Sequence, residues 1–130
     1  TYYWLDYVIG MPLLLRKNAQ FNRITIFDRY VYDFLIDPER TRLNLPYWVR
    51  QTFCNLVKRP KLVFILMAPA ETIYARKKEL TLDEIKEQLT RLNTLAVSNK
   101  RVYCLDATRE TKEIAMDALK VFLDIFASKL

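Results

Sequence analysis

The chain has 130 residues, a net charge of +6 and a pI near 9.4, with 52% apolar and 28% charged residues. This length and composition suit one globular domain with a core, and they exclude an intrinsically disordered chain. The positive charge favours anionic partners such as phosphates, nucleotides, nucleic acid or acidic lipid, but it does not choose among them.

Two residue types are scarce enough to exclude whole classes of site. The sequence has no histidine, which excludes a histidine-based nucleophile relay and a histidine metal site. Gly10 is the only glycine, so the chain cannot build a glycine-rich phosphate loop. Cys54 and Cys104 are isolated in apolar contexts, and we interpret both as reduced core thiols of a cytoplasmic protein.

The N-terminal stretch "TYYWLDYVIGMPLLLRK" is apolar, but Asp6 interrupts it and Pro12 should bend it. Its apolar part is shorter than the roughly 20 residues that a membrane span needs, and it lacks the features of a signal peptide. We therefore expect a packed, proline-kinked helix and no membrane partner. The first residue is Thr1 instead of Met, so we expect that a longer protein extends upstream.

Three short apolar runs predict strands, namely Ile24–Phe27, Leu62–Met67 and Val102–Leu105. They are continuously apolar, which is typical of strands covered on both faces. Helical patterns occupy Pro46–Leu56, Pro69–Lys78, Thr81–Val97 and Glu110–Ser128, and Thr81 with Glu84 forms a capping-box pattern. This alternation predicts a single α/β domain over residues 1–130, with a three-layer, mostly parallel sheet and helices on both faces.

In such sheets ligands bind beyond the carboxyl ends of the strands, which places Asp28-Arg29, the turn after Met67 and Asp106 at one edge. Arg29 offers a planar fork for two phosphate oxygens, and Asp28 could orient it, accept a proton or hold a hydrated magnesium ion. A structural ion pair that closes the turn is an equally good interpretation of the two residues.

Further cations follow Asp28-Arg29 and the turn after Met67 along the chain. Arg76, Lys77 and Lys78 form either a solvated helix end or a segment that closes over a polyphosphate. Arg91 either lies at the surface or reaches the same site. The turn over residues 37–42 is either a solvated loop or, through Arg40 and Arg42, a contact to an anion.

Three blocks carry a resemblance to a known family: "FDRYVYDFLIDPERTRL", "RPKLVFILMAPAETIYARKKELTLDEIKEQLTRLNTLA" and "VYCLDATRETKEIAMDALKVFLDIF". In this order they resemble the later part of a thymidylate kinase-like protein, from the P-loop nucleoside and nucleotide kinases. The resemblance runs from about Ile24 to Phe126. It implies a five-stranded parallel sheet and transfer of the γ-phosphoryl group of ATP, with Mg²⁺, to a nucleoside monophosphate or similar acceptor.

The resemblance also implies roles for individual residues. Asp28 and Arg29 match the catalytic Asp-Arg pair, whose arginine binds the acceptor's phosphate; we extend that acceptor site to Tyr30, Arg40 and Arg42. Arg76 matches the catalytic arginine with which the family's lid begins, the lid being the segment that closes over ATP. The predicted cofactor-binding residues are Arg76, Lys77, Lys78, Asp106 and Thr108.

The family's phosphate loop and its first two strands are not in these 130 residues. We therefore expect a C-terminal portion of a nucleotide kinase that is inactive without the segment bearing its phosphate loop. The alternative is a non-catalytic nucleotide-binding or protein-interaction module, and a homodimer is compatible with either. We expect no nucleic-acid partner.

Overall fold

A computed structural model describes residues 5–21, 23–37 and 45–127. The chain divides into two compact units, Thr1–Arg59 and Pro60–Leu130. Arg40 and Arg42, which we predicted to bind the acceptor, lie outside the described residues. That the whole chain is one domain stays a prediction.

The first unit contains a π-helical turn, Asp6–Gly10, that continues into α1, Met11–Ala19, followed by α2, Asp33–Ile36, and α3, Tyr47–Leu56. Pro12 lies in the first turn of α1, directly after the π-helical turn, and its missing N–H interrupts the hydrogen bonding between the two. The predicted N-terminal helix is confirmed and its packing is confirmed in part: Val8, in the π-helical turn, packs against the core of the unit, whereas α1 has no buried residue. None of the helices in the described ranges is long and apolar enough to cross a membrane.

A small core joins α2 to α3 in the first unit. It consists of Val31, Phe34, Cys54 and Val57, with other apolar side chains packed against it. The thiol of Cys54 donates to the backbone oxygen of Val31 over 3.3 Å, and Arg50 Nη1 donates to the backbone oxygen of Phe34 over 3.0 Å. These contacts hold the segment that follows Asp28-Arg29 against α3.

The predicted strand Ile24–Phe27 is wrong. These residues are irregular, and the side chains of Ile24 and Ile26 are 69% and 88% exposed. A β-strand is stabilised by the backbone hydrogen bonds that it forms with a neighbouring strand. Among the described residues, the only such hydrogen-bonded pair joins two other segments. The run therefore has no pairing partner among the described residues; its two isoleucines are exposed, while Thr25 and Phe27 are half-buried against Asn18 and Tyr30.

The second unit alternates strands and helices: β1, Val63–Met67; α4, Ala70–Arg76; α5, Leu82–Ser98; β2, Val102–Asp106; and α6, Thr111–Ala127. β1 and β2 pair in parallel, with Val63 opposite Val102 and Met67 opposite Asp106. The predicted α/β alternation and parallel pairing are confirmed here. The sheet described has two strands.

The capping box that begins α5 is confirmed. The Thr81 hydroxyl accepts from the Glu84 N–H, and Glu84 Oε2 accepts from the Thr81 N–H over 2.6 Å. These bonds satisfy two backbone donors that a helix start would otherwise leave unpaired. The bond from the Thr81 N–H, and a second one of 2.7 Å from the Thr81 hydroxyl to the same oxygen, stabilise the carboxylate and hold the pKa of Glu84 below its ordinary value.

The expectation that both strands are covered on both faces is wrong. Ile65 and Leu105 are buried, but their cross-strand neighbours Cys104 and Leu66 are exposed. Paired residues share a face, so each face of this two-stranded sheet is covered at one strand and open at the other. Cys104 is therefore not a core thiol, whereas Cys54 is buried as predicted; both cysteines are free thiols.

Candidate functional site

The second unit brings the carboxyl ends of its two strands together. Met67 and Asp106 are register partners, and the Ala107 N–H donates to the Met67 backbone oxygen over 2.8 Å. The ladder therefore extends one residue past β2. Of the three positions predicted at one edge of the sheet, the turn after Met67 and Asp106 are confirmed there, but the prediction is wrong for Asp28-Arg29, because no strand precedes this pair.

Asp106 organises the turn after β2. Its Oδ1 accepts from the Thr108 N–H over 2.9 Å and from the Thr108 hydroxyl over 2.6 Å. These bonds lower the pKa of Asp106, and the nearby charge of Arg109 lowers it further. The carboxylate is thus a fixed negative charge that shapes the turn.

Arg76, at the end of α4, reaches this turn. Its Nη1 donates to the backbone oxygen of Ala107 over 3.2 Å. The structure therefore brings together three residues predicted to bind the cofactor: Arg76, Asp106 and Thr108. The side chain of Arg76 is exposed, so its guanidinium is accessible from solvent.

The two lysines that follow Arg76 lie beyond the end of α4. Lys77 Nζ is 2.9 Å from Glu79 Oε1, and Lys78 Nζ is 5.9 Å from the centre of the Tyr74 ring. Exposed contacts of these kinds contribute at most about 1 kcal/mol each, so a phosphate group can replace them at little cost. Both lysines remain compatible with the predicted role.

An open pocket with a volume of about 380 Å³ lies at the ends of the two strands. It is lined by Met67, Ala68, Pro69, Cys104, Leu105 and Asp106. Apart from the Asp106 carboxylate, this lining presents apolar side chains and backbone. Its position beyond the carboxyl ends of parallel strands is where α/β sheets bind ligands.

In the first unit, Asp28 and Arg29 lie in a bend, and both are exposed. Arg29 has a φ of 83°, in the left-handed region that disfavours residues with a Cβ atom. Its Nη1 is 3.6 Å from Asp33 Oδ2. Arg29 therefore pairs with Asp33 and not with Asp28, the partner that the sequence interpretation gave it.

Tyr30 anchors the same bend. Its hydroxyl donates to the backbone oxygen of Lys58 over 2.5 Å, and its ring lies 5.3 Å from the ring of Phe27 and 6.3 Å from that of Tyr32. These contacts give Tyr30 a structural role in the unit. Asp28, Arg29 and Tyr30 belong to the first unit, and the residues around Arg76 belong to the second.

Sequence reasoning missed two arginines. Arg109 pairs with Glu113 and Asp117, which raise its pKa, and the spacing of four from Arg109 to Glu113 was a visible signal. Arg50 is half-buried, and within the described ranges its Nε is the one buried side-chain nitrogen or oxygen without a hydrogen-bond partner. The sequence signal for Arg50 was a single cation in an otherwise uncharged helix.

Arg91 had two open interpretations. It forms an ion pair with Glu87 one turn earlier on α5, and its side chain is 37% exposed. The pairing favours the surface interpretation, because it is a local contact within one helix.

The donor set of the described residues suits a polyphosphate better than a metal ion. Arg76 supplies a cation at the strand ends and Lys77 and Lys78 follow it along the chain; guanidinium and ammonium groups pair well with phosphate oxygens. In the ranges that the structure describes, no group of three or more His, Cys, Asp or Glu side chains could hold a metal ion. The fit to ATP is therefore reasonable, and the fit to Mg²⁺ is poor.

The chain matches no family model, no curated protein and no solved structure.

Proposed function

We propose that this chain supplies acceptor-binding and ATP-binding residues to a nucleotide kinase-like phosphotransferase of cytoplasmic location, with a three-layer, mostly parallel sheet. The observation that supports it most is the hydrogen bond from Arg76 to Ala107, at the edge where β1 and β2 end in register. The family resemblance assigns Arg76 and the turn after Asp106 to the ATP side. Their closeness is what that assignment requires.

On the ATP side, the open apolar surface between Pro69 and Cys104 would hold the adenine ring, and Arg76 would pair with phosphate oxygens. Lys77 and Lys78 would close over the same phosphates after leaving Glu79 and the Tyr74 ring. ATP would supply the phosphoryl group that is transferred. Asp106 would keep the turn in shape through Thr108 without contacting a metal.

On the acceptor side, Arg29 would exchange Asp33 for the acceptor's phosphate, and Asp28 would orient the acceptor. The left-handed backbone at Arg29 supports this assignment, since strained residues cluster at ligand sites. The Arg29–Asp33 pair is half-exposed, so breaking it costs little.

Phosphoryl transfer needs more than these residues. A glycine-rich loop that positions the β- and γ-phosphates is not encoded in this sequence, whose only glycine is Gly10. The described residues also lack a plausible Mg²⁺ site. Under this proposal, both come from another part of the same protein.

Binding to the chain itself tests the assignment. Isothermal titration calorimetry should show ATP binding that Arg76→Ala weakens by roughly tenfold or more, because a hydrogen bond to a charged group is lost. Arg91→Ala is the matched control and should leave ATP binding unchanged. If Arg76→Ala and Arg91→Ala behave alike, the ATP site is not at the strand ends.

The acceptor site is tested with a panel of nucleoside monophosphates. Arg29→Gly should weaken binding of the true acceptor by roughly tenfold. Glycine tolerates the left-handed φ, so this loss reports on the guanidinium and not on the backbone. Turnover of ATP by the protein that carries the phosphate loop completes the test, and no turnover with any acceptor would contradict a kinase.

The scarcity of glycine favours one alternative, a non-catalytic nucleotide-binding or protein-interaction module derived from the same scaffold. Gly10 lies within the N-terminal helical region with a φ of −66°, far from a phosphate-binding conformation. Saturable nucleotide binding without turnover, in a protein whose coding sequence upstream of Thr1 contains no phosphate loop, would decide for this alternative.

A further inference from the structure

The N-terminal part of the first unit exposes large apolar side chains along its whole length. They occur on the helical region that ends with α1 and continue into the irregular segment after it: Leu5, Ile9, Leu13, Leu14, Phe21, Ile24 and Ile26, each between 45% and 88% exposed. We call these residues, with the cations between them, the N-terminal face. An apolar surface of this extent marks an interaction site in most proteins.

Within the N-terminal face, the charges from Tyr7 to Phe27 are all positive, and Asp6 and Asp28 lie just outside this stretch. Between Tyr7 and Phe27 the sequence contains Arg16, Lys17 and Arg23 and no aspartate or glutamate. The guanidinium of Arg23 lies 5.1 Å from the centre of the Phe21 ring, so a cation and an exposed aromatic ring share one place on this surface. Mixed basic and apolar surfaces bind the headgroup region of anionic membranes, where both components contribute.

We propose that the N-terminal face binds the surface of a membrane that contains anionic lipids. Leu13 and Lys17 lie four residues apart on the same side of α1, so an exposed leucine is followed along the helix by a lysine. Lysine can keep its ammonium among lipid headgroups while its methylene stem lies along the apolar region. A helix held this way lies in the plane of the interface and does not cross the bilayer. It therefore does not need the length and apolarity of a membrane-spanning helix, which the described helices lack. The proposal revises our expectation of no membrane partner.

The shape of the N-terminal face favours lipid over a protein groove. A protein groove that binds a helix contacts one stripe of side chains at helical spacing. Leu13 and Leu14 point about 100° apart around α1, and Phe21 and Ile26 lie outside any helix. A fluid bilayer interface accepts apolar side chains without a fixed spacing. A second copy of the chain would bring two positive surfaces together, which is unfavourable.

Co-sedimentation of the whole chain with vesicles tests the proposal. We expect binding to phosphatidylcholine vesicles that contain phosphatidylserine, weaker binding to phosphatidylcholine alone, and a decrease with added salt. Replacing both Arg16 and Lys17 with alanine should weaken binding by roughly 30-fold, since each cation near an anionic surface contributes about fivefold. The matched control, Lys120→Ala with Leu123→Asp on α6, should bind as the unchanged chain does.

Ile26→Asp separates binding from folding, because Ile26 is exposed and lies outside any helix or strand. It should weaken vesicle binding while circular dichroism stays the same. Equal binding to both vesicle types, or binding that these variants do not change, would overturn the proposal. So would concentration-dependent dimers, seen by light scattering without vesicles and abolished by Leu13→Asp, since a second copy would then cover the N-terminal face.

Discussion

The turn after Phe27 and the turn after β2 both follow an apolar run and both carry an aspartate, yet they are held in different ways. The turn after β2 continues a parallel ladder, through Ala107, and Asp106 fixes it by two hydrogen bonds from Thr108. The bend at Arg29 is held by side chains: the Tyr30 hydroxyl on Lys58 and the ion pair to Asp33. A ladder fixes backbone position directly, whereas side-chain anchors fix it only as firmly as the core beneath them.

Of the tests of this difference, Phe34→Ala has the largest expected effect. Phe34 is 5% exposed in the core of the first unit, and truncating a buried phenylalanine typically costs about 3–5 kcal/mol of unfolding free energy. Hydrogen exchange should accelerate at Arg29 and along α3, while β1 and β2 keep their protection. Ile26→Ala, at an exposed position, is the control and should change stability little. Equal loss of protection in both units would show that they unfold together.

The two thiols distinguish the units by reactivity. Burial raises the pKa of Cys54 to about 11, although the charge of Arg50 opposes the rise, while Cys104 is exposed. At pH 8 the fraction of Cys54 present as thiolate would be roughly one hundredth of that of a thiol with the ordinary pKa of 9.0. Alkylation followed by mass spectrometry should label Cys104 quickly and Cys54 only when the first unit opens. Similar rates at the two cysteines would mean that the first unit's core is open in solution.

A smaller effect comes from the capping box. Thr81→Ala should destabilise the second unit by about 1 kcal/mol in urea unfolding, since N-cap hydroxyls contribute that much. Thr90→Ala, within the exposed middle of α5, is the matched control and should cost less. If the two variants cost the same, the cap does not stabilise α5 in the way that its geometry indicates.

The smallest expected effect is on the pH dependence of the second unit. Folding lowers the pKa values of Glu84 and Asp106, so the folded form binds fewer protons. Their contribution is present above the ordinary carboxyl pKa values and is lost as the pH falls through the lowered ones. In Thr108→Val the pKa of Asp106 should rise toward its ordinary value, measurable by NMR titration of the carboxyl carbon. An unchanged titration curve would assign the shift to another cause.

The second unit was largely predictable because its signals are local. A capping box, apolar stripes at helical spacing and two apolar runs determine where α5, β1 and β2 form, and both members of the strand pair lie in this unit. Ile24–Phe27 has equally strong strand residues, but no strand among the described residues pairs with it. Composition can indicate a preference for extended backbone, but it cannot supply a partner.

The candidate site was predictable to the same extent. The rule on strand ends located Asp106 and the turn after Met67, but no sequence pattern specified that Arg76 would bond to Ala107. The left-handed backbone at Arg29 was also not foreseen, because arginine does not favour it. Such features depend on contacts between residues far apart in sequence or on packing that overrides local preference.

The parallel register of β1 with β2 also bears on the order in which the second unit folds. Parallel strands cannot be joined by a hairpin, so β1 and β2 pair only after the chain between Met67 and Val102 has closed into a loop. Helices formed early within that loop shorten the distance that diffusion must cover. The Thr81–Glu84 cap, which starts α5, would then accelerate strand pairing as well as stabilise the folded unit.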